Sequence, residues 1–242
     1  MKPKKLLLIL GVILFISGCS DFFMICSLNP FYLETNISLS PEVEGDWMVH
    51  PLRAKSDTAS KENPNVWQLA DTTSVWQIKQ FISEEKVKTK RGQDSIVFKP
   101  QKYYVVKLIG NHTDSVQYQF KMVLFRVKDF LYADFSPYEM ASIKDSRMVK
   151  ENYFTVHTLA RVRVQNKQLN VSWLGSEYMK DMVEKKRVRI KYRYVPDAKR
   201  LLLTASSEEL NRMIERYANE TRFIDWEDQP AMLNLTPINP LP

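Results

Sequence analysis

Glycine is scarce in this chain, six residues in 242, and cysteine is scarcer still at two. So few glycines leave little for phosphate-cradling loops, while the plentiful Val, Tyr, Phe and Trp favour strands. Gly-x-Ser-x-Gly, His-Glu-x-x-His, Walker and Cys-x-x-Cys signatures are absent. The three histidines, His50, His112 and His157, are far apart, and each is read as structural or solvated. Glu84 and Glu85 are neighbours in a predicted turn, so they point apart and make a poor acid–base pair. The sequence is therefore read as non-enzymatic, with no cofactor and no metal site. Internal repeats and low-complexity tracts are also missing, and no apolar run reaches the ~20 residues of a comfortable bilayer span.

What is present begins at the N-terminus. Lys2, Lys4 and Lys5 precede an apolar stretch from Leu6 to Ile16, then small Ser17 and Gly18, then Cys19. A basic start, a short apolar core and a small-residue cleavage site make a secretory leader. Ile16-Ser17-Gly18-Cys19 resembles the lipobox of bacterial lipoproteins. That resemblance implies cleavage after Gly18 and lipid on Cys19, hence a lipid-anchored protein of the bacterial cell envelope. It does not say which membrane. The competing reading is an uncleaved anchor helix running on through Phe22 to Ile25, against which Asp21 speaks. An acylated Cys19 leaves no second cysteine for Cys26, so the core and not disulfides must hold the fold. Setting the three leader lysines aside takes the formal charge from +7 to +4, a weak pull toward anionic partners. An exported compartment gives no role to nucleic acid. Five Asn-x-Ser/Thr sequons are read as chance in a bacterial chain.

The pattern predicts a leader over 1–18, a lipidated tether over 19–41 and one domain over 42–242. Strands are expected at Val43–Val49, Ser74–Ile82, Ser95–Phe98, Tyr103–Ile109, a period-two run from Val116 to Leu124, Phe130–Phe135, Tyr153–Val164, Leu169–Trp173, Arg187–Val195 and Arg200–Thr204. Turns are expected at Glu84–Lys86, Lys128–Asp129 and Gln165–Lys167. A short helix is read over Glu177–Glu184. Ser206 and Glu209 fit a capping box, and Leu210, Met213, Ile214 and Tyr217 form one apolar stripe, so a helix over 207–219 should lie on the sheet. The proline-rich end is read as an extended tail with a candidate strand at Met232–Leu235. The fold class is mainly β: an antiparallel barrel of about eight or more strands with a C-terminal helix packed on it.

Several segments carry a further likeness: Ser27 to Tyr32, Pro41 to Trp47, Phe130 to Phe135, His157 to Val164, Gln168 to Glu177, and Leu201 to Leu210. Together they resemble a family of uncharacterised bacterial lipoproteins, which has no established activity to carry over. Gly45-Asp46-Trp47 is similar to the Gly-x-Trp of lipocalins, although the lipocalin Thr-Asp-Tyr motif is absent. This likeness implies a lipocalin-like (calycin-like) barrel with Trp47 plugging one end.

Two sets of residues are candidates for binding. Trp47, Trp76, Tyr118, Phe120 and Tyr192 are read as inward aromatics, which either line a cavity for a small apolar ligand or lipid or fill the core. Arg187, Arg189, Lys191 and Arg193, with Lys185 and Lys186, are read as one basic face. That face is either a solvated surface or a contact for anionic headgroups or an acidic partner. Three functions stay open at this point. One is an envelope lipoprotein that binds an apolar molecule, and another is a solid barrel that docks a second envelope protein. The last is an enzyme in which His157 meets a carboxylate.

Overall fold

The computed structural model describes residues 24–51, 74–88, 94–109, 116–138, 155–195, 200–220 and 232–238. The leader, Cys19, His112 and most of the expected loops lie outside them.

Eight strands close into an antiparallel barrel. They are β2 (Gly45–Pro51), β3 (Val75–Lys88), β4 (Asp94–Ile109), β5 (Val116–Val127), β6 (Phe130–Pro137), β7 (His157–Gln165), β8 (Gln168–Trp173) and β11 (Met232–Pro237). Their order is β6-β5-β4-β3-β2-β11-β8-β7, and β6 pairs with β7 to complete the circle. Closure removes the open edges that a meander of this length would otherwise expose. Three strands extend the sheet outside the barrel: β1 (Cys26–Ser27), β9 (Tyr192–Val195) and β10 (Arg200–Leu203). There β1 lies between β7 and β10. Helices α1 (Ser176–Glu184) and α2 (Ser207–Tyr217) belong to this outer layer.

Local chemistry explains most of the turns. Asn166 and Lys167 take positive φ (52° and 59°), the paired left-handed geometry that suits the twist of the β7–β8 hairpin. Lys128 does the same at φ 54° between β5 and β6. At the start of α2, Ser206 Oγ accepts the Glu209 N–H at 3.3 Å and Glu209 Oε2 accepts the Ser206 N–H at 3.0 Å. Leu210, Met213, Ile214 and Tyr217 are buried, as the apolar stripe predicts.

Other expectations are corrected. The tether does not run to residue 41. From Met24 onward the chain is packed, with Ile25 and Phe31 fully buried and β1 paired on both sides. The first barrel strand starts at Gly45 and not Val43, because Pro41–Val43 forms a 3-10 turn. Gly45, at φ +140°, turns the chain so that Trp47 Nε1 can donate back to the Val43 carbonyl at 2.9 Å. The segments at 95–98 and 103–109 are one strand, and Glu84 and Glu85 lie inside β3, not in a turn. Pro100 is tolerated because it faces Ile82 beside a register shift, where the ladder is already interrupted. The candidate strand in the tail is present, but it runs on to Pro237 and belongs to the barrel: β11 pairs with both β2 and β8. Helix α2 therefore precedes the closing strand.

Two cores result. Inside the barrel, Trp47, Trp76, Tyr104, Met122, Phe135, Trp173 and aliphatic neighbours pack together. Outside it, the far faces of β5, β6 and β7 present Phe125, Val127, Tyr132 and Leu159 to Ile25, Phe31, α1, β10 and α2.

Candidate functional site

The barrel interior is where an apolar ligand would sit, and side chains occupy it. The rings of Trp76, Phe135 and Trp173 touch one another, with centroids 5.6–6.1 Å apart. Val43 and Trp47 fill the end where β2 begins, and Tyr104 Oη accepts the Ser40 N–H at 2.8 Å across the same end. Of the five predicted inward aromatics, Trp47 and Trp76 are buried in this core and Phe120 is partly buried against it. Tyr118 and Tyr192 are corrections. Tyr118 shares the inward face of β5 but lies beyond its last filled layer, opposite Leu108, and is 63% exposed. Tyr192 lies on β9, the last strand of the outer sheet, and is 45% exposed. The interior therefore does not bring the five together around a space.

A recess of about 220 Å³ opens at the end of the barrel that carries the β5–β6 turn. Its walls include Glu42, Asp129, Arg126, Arg161 and Arg163, so both charge signs line it. The Arg161 guanidinium carbon lies 3.4 Å from the Phe130 ring centroid, and burial lowers the pKa of this arginine. Such walls suit polar contacts and not an apolar guest.

His157 does meet a carboxylate. Its Nδ1 lies 2.7 Å from Asp134 Oδ1, and Asp134 Oδ2 accepts the Phe31 N–H at 2.8 Å. Ser27 stands opposite His157 in the β1–β7 pairing, and its Oγ accepts the Asn29 N–H at 3.1 Å. These residue types can perform nucleophilic catalysis, but Ser27 and Asp134 are 0% and 1% exposed. What the cluster does is satisfy backbone donors of the N-terminal segment, holding it against the barrel. Sequence reasoning missed Asp134. The available signal was a lone acid inside the apolar run Phe130–Phe135. His50 has a comparable structural contact, 2.9 Å from Thr236 Oγ1.

The basic residues Arg187, Arg189, Lys191 and Arg193 are all exposed. They do not form one strand face, because β9 starts only at Tyr192. The chain first closes α1: Lys186 adopts φ 53°, its N–H reaches the Val183 carbonyl, and the Arg187 N–H reaches that of Met182. Val188 and Ile190 then pack into the outer core, so the in–out alternation holds without a partner strand and fails at Tyr192.

The remaining surface feature was not anticipated. β3 pairs with β2 only from Val75 to Ile78, and β4 pairs with β5 only from Tyr104 to Ile109. Beyond them, among the described residues, the two strands pair only with each other, from Ile82–Pro100 to Lys88–Asp94, as a ribbon about 20 Å long. Stacked Phe81 and Tyr103, with Tyr138 beside them, brace its base. Ile82, Ile96, Val97 and Phe98 are exposed along it, Phe98 by 65%. An isolated two-stranded ribbon is marginal in water, and an apolar one with open edges is suited to receiving a partner. No family model, no curated protein and no solved structure matches this chain.

Proposed function

We propose that this protein is a bacterial envelope lipoprotein, held through lipid on Cys19, whose barrel is a solid scaffold for docking another envelope protein. The observation that carries docking over ligand carriage is the mutual contact of Trp76, Phe135 and Trp173 in the middle of the interior. The ribbon supplies the docking surface: an apolar strip flanked by Glu84, Glu85 and Lys99, whose main-chain edges carry no further strand among the described residues and suit a strand from the partner. The lipoprotein reading is supported by the basic, apolar and small-residue order before Cys19. The Trp47 contact beside the 3-10 turn, at one end of an eight-stranded barrel, supports a lipocalin-like reading of the fold.

Two experiments test the proposal. Labelled palmitate should enter the wild type and not Cys19→Ala, and equal labelling would defeat the anchor. A photo-crosslinking residue at Phe98 should capture one envelope protein in cells, while the same residue at exposed Tyr118 captures none. Natively purified protein should carry no apolar molecule. One lipid per chain in its mass spectrum would overturn the solid scaffold.

A further inference from the structure

We propose that the outer β1–β10–β9 sheet and the basic chain leading into it form a membrane-facing base, which lies on anionic headgroups and points the ribbon away from the bilayer. This rests on the anchoring of Cys19 proposed above.

The argument starts with reach. Cys19 precedes Met24, the first described residue, by five positions. Even fully extended, five residues span only about 17 Å. Whatever surface surrounds β1 is therefore held near the headgroups. Strand register says which surface that is. Cys26 pairs with Leu202, and Leu202 pairs with Arg193. At a strand spacing of ~4.8 Å, Arg193 lies about 10 Å from Cys26. The Thr204 N–H to Lys191 carbonyl bond continues the same ladder, bringing Lys191 alongside.

The residues on this surface suit an interface. Met24 and Leu28, which alternate with buried Ile25 and Ser27, are exposed on the same face as Cys26 and Arg193, while Tyr192 and Tyr194 stand opposite Leu203 and Leu201 on the other face of β9 and are exposed at its edge. Exposed apolar side chains beside basic ones favour the boundary between headgroup and acyl chain. From Lys185 to Arg193 the chain has six basic residues and no acid. Two of them face carboxylates, Lys185 toward Asp181 and Lys191 toward Glu209. Among the described residues no ion pair engages Arg187, Arg189 or Arg193. Those three charges are directed to solvent, and an anionic surface is the partner that their proximity to the anchor supplies.

Strand direction then fixes the orientation. β1 pairs at His157 and Thr158, the start of β7. The ribbon leaves the barrel at the other end, where β2 begins at Gly45 opposite Ile78. A base seated on the bilayer therefore presents Phe98 outward.

The test uses the acylated full chain reconstituted in vesicles of phosphatidylcholine alone or with phosphatidylglycerol. Chymotrypsin cleavage after Tyr192 and Tyr194 is the readout. Phosphatidylglycerol should slow cleavage about ten-fold, and high salt should restore it. The triple variant Arg187→Glu, Arg189→Glu, Arg193→Glu should lose the protection while retaining its palmitate label and its circular dichroism. Equal cleavage in both vesicles, on protein that carries the label, overturns this inference and leaves the anchor standing. Absence of the label defeats the anchor itself, whatever the vesicles show. Protection that appears only on adding envelope protein to phosphatidylcholine vesicles also overturns the inference, in favour of a protein partner for this face.

Discussion

The barrel interior and the layer outside it each bury seventeen apolar side chains among the described residues, yet they are assembled in opposite ways. The interior comes mainly from consecutive hairpins, β2 through β8, with β11 inserted last. The outer layer joins pieces that are distant in sequence: the Asn29 side chain donates to the Ala205 carbonyl across 176 positions. The interior core is apolar rings and aliphatics. The outer layer also contains Asp134, His157 and Ser27, and its order depends on them. A core of local pairings can rely on shape alone, whereas one drawn from remote segments uses buried hydrogen bonds to fix which segments meet. The first should therefore fail through cavities and the second through orphaned polar groups.

The largest effect belongs to the interior. Trp76→Ala should cost about 3–5 kcal/mol in urea denaturation, because two neighbouring rings lose a common contact and cannot collapse into the gap. A loss under about 1 kcal/mol would mean a loosely filled barrel and restore the ligand-carrying reading.

The outer layer should respond to charge and not volume. Asp134→Ala removes an acceptor from both the Phe31 N–H and His157 and should cost about 2–4 kcal/mol. Hydrogen exchange should show residues 25–36 opening before β2–β8. Asp134→Asn keeps one acceptor and should lose less. Uniform opening of both cores would erase the distinction between them. Ser206→Ala, which removes the α2 cap without touching a buried contact, should cost about 1 kcal/mol.

The same contrast decides what could be read in advance. Strands β5 to β8 were legible because period-two alternation and turn residues such as Asn166–Lys167 specify a hairpin locally. Helix α2 was legible from Ser206, Glu209 and its stripe. The strand at Met232–Pro237 was legible only as far as Leu235 and without its place in the barrel, since what puts it there is the gap between β2 and β8. The tether was misread because β1 is only two residues long and owes its place to partners at Thr158 and Leu202. Tyr118 and Tyr192 lie on the face the pattern assigns them, but alternation gives a face and not the height at which a core ends. The ribbon was missed because charged Glu84 and Glu85 read as a turn. The candidate site suffered most: exposure of the basic residues was foreseeable, but the Asp134–His157 contact is a tertiary event.

Tyr132 gives the smallest effect and separates hydrogen-bonded polarity from polarity that is merely buried. Its ring stacks on Phe125 at 5.7 Å, yet among the described residues its hydroxyl is buried with no hydrogen-bond partner. Burial pushes the phenol up to about 12, with Arg161 opposing the shift. Tyr132→Phe keeps the stacked ring and removes the orphaned oxygen, so stability at neutral pH should hold or rise by up to about 1 kcal/mol. The pH dependence has a definite sign. A phenol raised in the folded state contributes stability fully below its unfolded value near 10, and that contribution is lost as pH rises toward 12. The gap between Tyr132→Phe and wild type should therefore widen in favour of the variant between pH 10 and pH 12, measured by urea midpoint at each pH. A variant that is less stable than wild type at neutral pH would show that the hydroxyl is satisfied after all. Tyr132 would then belong with Asp134 among the groups that the outer layer depends on.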